Sequence, residues 1–259
     1  VTFICTKTCF AKIIVFTFSG IRTPTPVQIN CIPPALKGKD VVGCAKTGSG
    51  KTLAFAAPIL QQLAQDPFGV FALILTPTRE LAIQILDQFN VLGAAINAQV
   101  SLIVGGRDMV TQGAELSRRP HVVIATPGRL ADHLANTGEA HALKRVQFLV
   151  LDEADRLMNG QFDEQLHSIV SCLPSSRQNL FFSATLPPED SLRKLIMLRD
   201  PVFSWRDPEI DLGQATVMSL EQQYLLCPPQ VKDSAVVLLL DKIKQEKSHP
   251  SVLIFSHTC

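Results

Sequence analysis

Apolar residues fall along this chain in short, nearly unbroken runs. Between the runs lie stretches in which apolar positions recur at helical spacing. The runs are Asp40–Cys44, Ala72–Thr76, Gln99–Val104, His121–Ala125, Phe148–Asp152 and Asn179–Ser183. They are rich in β-branched and aliphatic side chains, as strands covered on both faces must be. The stretches Leu53–Ala64, Thr78–Phe89 and Gly128–Asn136 have helix-forming composition. Repeated alternation of this kind predicts an α/β domain with a mainly parallel sheet covered by helices on both faces. In such a sheet, ligands bind beyond the carboxyl ends of the strands.

The pattern changes near Arg206–Gln214, where Asp207-Pro208-Glu209 and Asp211-Leu212-Gly213 read as a polar connector. After it come a strand-like Gln222–Leu226, a helix-like Lys232–Lys247 and a strand-like Ser251–Phe255. The expected organisation is an atypical N-terminal segment over 1–19, a core domain over 20–206, a linker over 207–218 and the start of a second domain over 219–259. So short a second piece is too small for a stable core of its own, and the apolar run Ala235–Leu240 is expected to be exposed. At the N-terminus the longest apolar run, Ile13–Phe16, is far short of the ~20 residues that span a bilayer. No membrane association is expected.

Composition narrows the classes further. Apolar residues make up 46% of the chain and charged residues 18%, which suits a large buried core and excludes a disordered tail. The formal net charge of +1 announces no basic surface, so any nucleic-acid binding must rest on backbone N–H groups and a few placed arginines. The seven cysteines are scattered with no C-x-x-C pair, which argues against structural zinc and a disulfide framework. Reduced thiols of a cytosolic or nuclear protein fit better. The histidines show no ligand or triad spacing.

Two motifs carry chemistry. Ala45-Lys46-Thr47-Gly48-Ser49-Gly50-Lys51-Thr52 follows the first core strand and opens a helical stretch, the context a phosphate-binding loop requires. The glycines let backbone N–H groups face an anion, Lys51 can reach terminal phosphates, and the Thr52 hydroxyl can ligate Mg²⁺. Ala45 stands where the strict pattern has glycine. A Gly-rich turn before a helix is the plainer alternative. The second motif, Asp152-Glu153-Ala154-Asp155, ends the run Phe148–Leu151. Asp152 there can hold Mg²⁺ and Glu153 can orient or deprotonate a water. Alone, the pair reads equally as a helix cap with first-turn acids; the upstream loop favours chemistry.

Taken together and in order, these segments resemble the DEAD-box ATP-dependent RNA helicases over about residues 20–259. Pro24-Thr25-Pro26-Val27-Gln28 resembles the family's adenine-reading motif, Ala45–Thr52 its phosphate loop with the alanine included, and Asp152–Asp155 its naming motif. Pro77, Thr78, Arg79, Gly105, Gly106, Thr126, Pro127, Gly128 and Arg129 lie in segments that look like its RNA contacts. Ser183-Ala184-Thr185 looks like the segment that couples nucleotide state to RNA, bonding with Asp155. Val252–Phe255 resembles the first motif of the second domain.

The resemblance implies a RecA-like fold, ATP and Mg²⁺ as cofactors, and RNA held through its backbone. It implies catalytic roles for Lys51, Asp152 and Glu153, and adenine contacts from Gln28, in a proline-stiffened loop, and from Phe3. It also implies a second RecA-like domain supplying arginines, so that this chain alone is expected to turn over ATP weakly. Asp66–Leu75 and His121–Ala135 resemble a nucleolar subgroup involved in ribosome assembly, which implies assembly-factor partners and a nuclear location. Bland readings remain for the parts: strand-end caps for Ser183 and Thr185, surface positions for the arginines, a packing role for Phe3. Two rivals also stand, a non-catalytic nucleotide- or RNA-binding form and a P-loop ATPase with another target.

Overall fold

The computed structural model describes residues 23–136, 139–185, 202–211, 221, 223–246, 248 and 250–255. The chain divides into two compact units, Val1–Gly213 and Gln214–Cys259.

Among the described residues the first unit has seven strands. They are β1 (Val41–Cys44), β2 (Ala72–Leu75), β3 (Val100–Ile103), β4 (Val122–Ala125), β5 (Phe148–Asp152), β6 (Gln178–Ser183) and β7 (Phe203–Arg206). They form one sheet in the order β3-β4-β2-β5-β6-β1-β7, and every pairing is parallel. The connecting helices are α1 (Pro26–Leu36), α2 (Lys51–Leu63), α3 (Arg79–Gly93), α4 (Met109–Ser117), α5 (Pro127–Asn136), α6 (Ala154–Leu157), α7 (Asp163–Ser171) and α8 (Pro208–Asp211). This is the RecA-like α/β sheet that the alternating pattern and the resemblance led one to expect.

Alternation within each strand divides the core in two. Ala72, Ile74, Val122, Ile124, Phe148, Val150, Leu180 and Phe182 face one side and pack with α1, α2 and α3. Leu73, Leu75, Val123, Leu149, Leu151 and Phe181 face the other and pack with α5, α6 and α7. Because successive side chains on a strand point to opposite faces, a sheet buried on both sides needs apolar residues at every position. That is why the runs are unbroken. On the first side Phe55 stacks on Phe89, with centroids 6.3 Å apart, and meets Phe182 at 5.5 Å. These contacts hold α2, and with it the phosphate loop, against the sheet.

Three elements differ from the sequence expectation. Residues around Gln28 form helix α1 rather than a loop. Pro26 at its first position pre-sets the helical φ without forfeiting a bond, and the Gln28 side chain accepts from the Thr25 N–H at 3.1 Å. Two consecutive prolines inside α1, Pro33 and Pro34, disguise it in sequence. Strand β7 has no continuous apolar run, since at the sheet edge its alternate residues are only half-buried and the others exposed. The polar connector begins with α8.

In the second unit, helix α9 (Lys232–Glu246) forms where the pattern placed it. The described residues of the two expected strands, 223–226 and 251–255, are in no strand. A strand exists only by pairing, and among the described residues of this unit neither segment has a ladder partner. Val237, Leu238 and Leu239 on α9 are exposed.

Candidate nucleotide and RNA site

The residues singled out by motif gather at the carboxyl edge of the sheet. Ala45 continues β1, and its N–H donates to the Ser183 carbonyl at 3.0 Å, tying the start of the loop to β6. Gly48 and Gly50 take φ of +80° and +88°, which glycine adopts without strain. Gly50 caps α2 and makes no side-chain capping bond to its first-turn N–H groups. The first-turn N–H groups of α2 are thus left for an anion, favoured further by the helix dipole. The Ser49 hydroxyl is buried without a hydrogen-bond partner. An orphaned hydroxyl and an uncapped helix N-terminus in one loop fit a phosphate chain.

Lys51 donates to the carbonyl of Ala45 at 2.7 Å, folded back across its own loop. Burial lowers its pKa, and the charges of Asp152, Asp155 and Glu153 work against that effect. Asp152, at the end of β5, has its carboxyl pushed up to about 6 by burial, which the Lys51 charge only partly offsets. Its Oδ1 accepts from the Glu153 N–H at 3.1 Å. Glu153 adopts φ +53°, a left-handed turn between β5 and α6.

A cleft of about 740 Å³ brings these groups together. Gln28, Thr47, Gly48, Gly50, Lys51 and Thr52 line it with Asp152 and Glu153. Gln28 is 2% exposed, and its Nε2 donates to the Gly50 carbonyl at 3.1 Å. Each end of its amide therefore has one protein bond, leaving one N–H and one lone pair over. Another part of its wall is a face of α3 carrying Leu81, Gln84, Asp87, Gln88 and Val91. Sequence reading passed over this wall, although the helical spacing of those residues was there to be read. Phe3 lies outside the described residues, and no helix among the described residues is long and apolar enough to cross a membrane.

The third acidic residue faces another way. Asp155 Oδ2 accepts from the Thr185 hydroxyl at 2.7 Å and the Thr185 N–H at 3.2 Å, while the Asp155 N–H donates to Ser183 Oγ at 3.2 Å. Burial alone would raise the Asp155 pKa, but the bonds from Thr185, Ser183 and Arg156 together hold it below the ordinary value. The segment Ser183–Thr185 is thereby attached to the residue two beyond Glu153.

The residues expected to meet RNA collect beyond β2, β3 and β4, which are neighbours in the sheet. Thr78 caps α3 by accepting from the Leu81 N–H at 3.3 Å, with Pro77 before it and Arg79 in the first turn. The Arg79 guanidinium lies against Gly105 and Gly106. A Cβ on Gly105 would come within 3.0 Å of it, and one on Gly106 would collide with it. Both positions lack a side chain where the guanidinium passes. Thr126 donates its N–H to the Ile103 carbonyl at 3.1 Å, and Pro127, Gly128 and Arg129 open α5. Two helix N-termini and a glycine pair thus form one rim beside the cleft.

Comparison with known proteins bears on the family. The family model described as DEAD/DEAH box helicase matches residues 25–193. The human "Probable ATP-dependent RNA helicase DDX49" is 51% identical over 245 residues, covering 93% of this chain and 49% of the human protein. The ATP-dependent RNA helicase DBP8 of Candida albicans is 47% identical over 247 residues, covering 92% of this chain and 55% of the relative. Dbp45A of Drosophila melanogaster is 45% identical over 239 residues, covering 92% and 45%. The chain spans about half the length of these curated relatives. With the family match running through the phosphate loop, the acidic motif and Ser183–Thr185, the chain belongs to the DEAD/DEAH box helicase family.

Proposed function

We propose that this chain carries the nucleotide site and part of the RNA-binding surface of an ATP-dependent RNA helicase. The observation that carries the reading is the single cleft in which Gln28, the phosphate loop and Asp152–Glu153 meet. A base-reading amide, a phosphate cradle and a carboxylate pair in one hollow suit a nucleoside triphosphate. The remaining donor and acceptor of Gln28 match the adenine edge and mismatch guanine. The uncapped turn of α2 and Ser49 take the phosphates, and Lys51 exchanges its bond to Ala45 for a phosphate oxygen.

Thr52 and Asp152 are the ligands we assign to Mg²⁺, which would offset phosphate charge in the low-dielectric cleft. Glu153 orients the attacking water and accepts its proton. Asp155, held by Ser183 and Thr185, links the nucleotide side to the RNA rim. Thr78, Arg79, Gly106, Thr126 and Arg129 hold RNA through phosphates and sugars, without reading sequence.

In this reading residues 20–206 are the ATP-binding domain, 207–218 a linker and 219–259 part of a second RecA-like domain. The resemblance of Asp66–Leu75 and His121–Ala135 to a ribosome-assembly subgroup supports a nucleolar role alongside assembly factors. Calorimetric titration with ATP, ADP and GTP, followed by ATPase assays of the full-length protein with RNA, tests the core of the proposal. Preference for ATP and ADP over GTP, loss of most phosphate-dependent affinity in Lys51→Ala, and turnover stimulated by unrelated RNA sequences are expected. Equal affinity for GTP, or stimulation by a non-RNA polymer instead, would overturn it.

A further inference from the structure

Glu153 has three side-chain torsions between its backbone and the carboxylate that would act on water. The left-handed turn fixes only the backbone. Its carbonyl accepts from the N–H groups of Arg156 and Leu157 at 2.9 and 3.1 Å, and its own N–H donates to Asp152. Among the described residues one side chain alone reaches the carboxylate: Arg156 Nη1 lies 3.1 Å from Oε2. The same residue touches the neighbouring carboxylate through its backbone, its N–H donating to Asp155 Oδ1 at 3.0 Å. Asp155 Oδ2 in turn holds Thr185. A continuous chain of bonds therefore runs from Thr185 through Asp155 and Arg156 to Glu153.

We infer that Arg156 is a positioning residue. Its guanidinium sets the Glu153 carboxylate, and its backbone passes the placement of the Ser183–Thr185 segment on to that carboxylate. The inference rests on the proposed role of Glu153. Fold stability is a poor explanation for the ion pair. The Arg156 side chain is 64% exposed, and exposed pairs contribute little to folding. What the pair does supply is direction, because a guanidinium bonds a carboxylate along fixed N–H axes. Small misplacements of a reacting group slow a reaction far more than they weaken binding.

The test is steady-state ATP hydrolysis by the full-length protein, with and without RNA, for wild type, Arg156→Ala and Arg156→Lys. Arg156→Ala is expected to lower RNA-stimulated kcat about 10-fold with the KM for ATP and the RNA affinity unchanged. Arg156→Lys keeps the charge near Glu153 but not the fixed N–H axes, and is expected to recover only part of the rate. Wild-type kcat in Arg156→Ala would overturn the inference and leave the functional reading standing. So would a loss of RNA affinity with a flatter salt dependence, which would make Arg156 a phosphate contact. A lower melting temperature with a proportionate loss of active sites would point to folding and count equally against it. Absence of ATP turnover in the wild-type protein would overturn the functional reading itself and this inference with it.

Discussion

Asp152 lies at the end of β5 with 6% of its surface exposed, and burial pushes its carboxyl up to about 6 from an ordinary 3.8. The folded state therefore holds a proton that the unfolded chain has released between those values. Stability falls as pH rises through that window, and the penalty is complete above about pH 6. Asp152→Asn removes the buried charge. Without nucleotide, the variant is expected to be more stable than wild type at pH 7.5 by about 1–3 kcal/mol. Its melting temperature should also vary less between pH 4.5 and 7.5. Thermal unfolding across that range checks both, and a destabilised variant at pH 7.5 would contradict the account. The same substitution is expected to abolish Mg²⁺-dependent turnover. A cation bound beside Asp152 would offset the cost of its buried charge.

At the scale of elements, β1 and α1 show how backbone approach places the phosphate loop. A Cβ on Gly43 would lie 2.8 Å from Cε1 of Phe182 and 3.1 Å from Sγ of Cys31. Glycine at that position lets α1 and the Phe182 ring close over β1, two residues before the loop begins. Gly43→Ala is expected to destabilise the protein by about 1–3 kcal/mol, since neither an aromatic ring nor a helix can yield cheaply in a filled core. Urea unfolding would show a lower midpoint at unchanged slope, and an unchanged midpoint would refute the packing argument. Helix α1 also explains a failure of sequence reading. Pro33 and Pro34 lower its local helix propensity, yet Val27, Cys31, Ile32 and Ala35 bury against the sheet and make good the loss.

At the scale of the molecule, strand order decides which sites are neighbours. The phosphate loop follows β1 and the acidic motif follows β5, with β6 between them carrying Ser183. Residues far apart in sequence thus enclose one cleft. The order β3-β4-β2 then sets the Gly105–Gly106 turn and the N-termini of α5 and α3 side by side. If this rim grips phosphates, Arg79→Ala and Arg129→Ala are each expected to weaken RNA binding equally for unrelated sequences. Each should also reduce the slope of log affinity against log salt by about 1. Fluorescence anisotropy over a salt series measures both effects. A loss confined to one RNA sequence would exclude backbone recognition.

Much was legible in the residues because it is encoded locally. A strand buried on both faces must be apolar throughout, so six of the seven strands announced themselves. A phosphate loop needs its glycines and lysine at fixed offsets, and paired carboxylates at a strand end are visible in any order of strands. What depended on pairing was not legible. Strand β7 is polar at alternate positions and became a strand because β1 offered it a ladder, whereas the apolar segments 223–226 and 251–255 have no ladder partner among the described residues and are in no strand. No local pattern shows that the Gln28 amide reaches Gly50, that Arg79 lies on Gly105 and Gly106, or that Thr185 and Glu153 are joined through Asp155 and Arg156. Sequence determined the elements and the chemistry each could carry. Tertiary structure alone decided which of them meet, because hydrogen bonds and packing across the sheet depend on strand order and register rather than on neighbours along the chain.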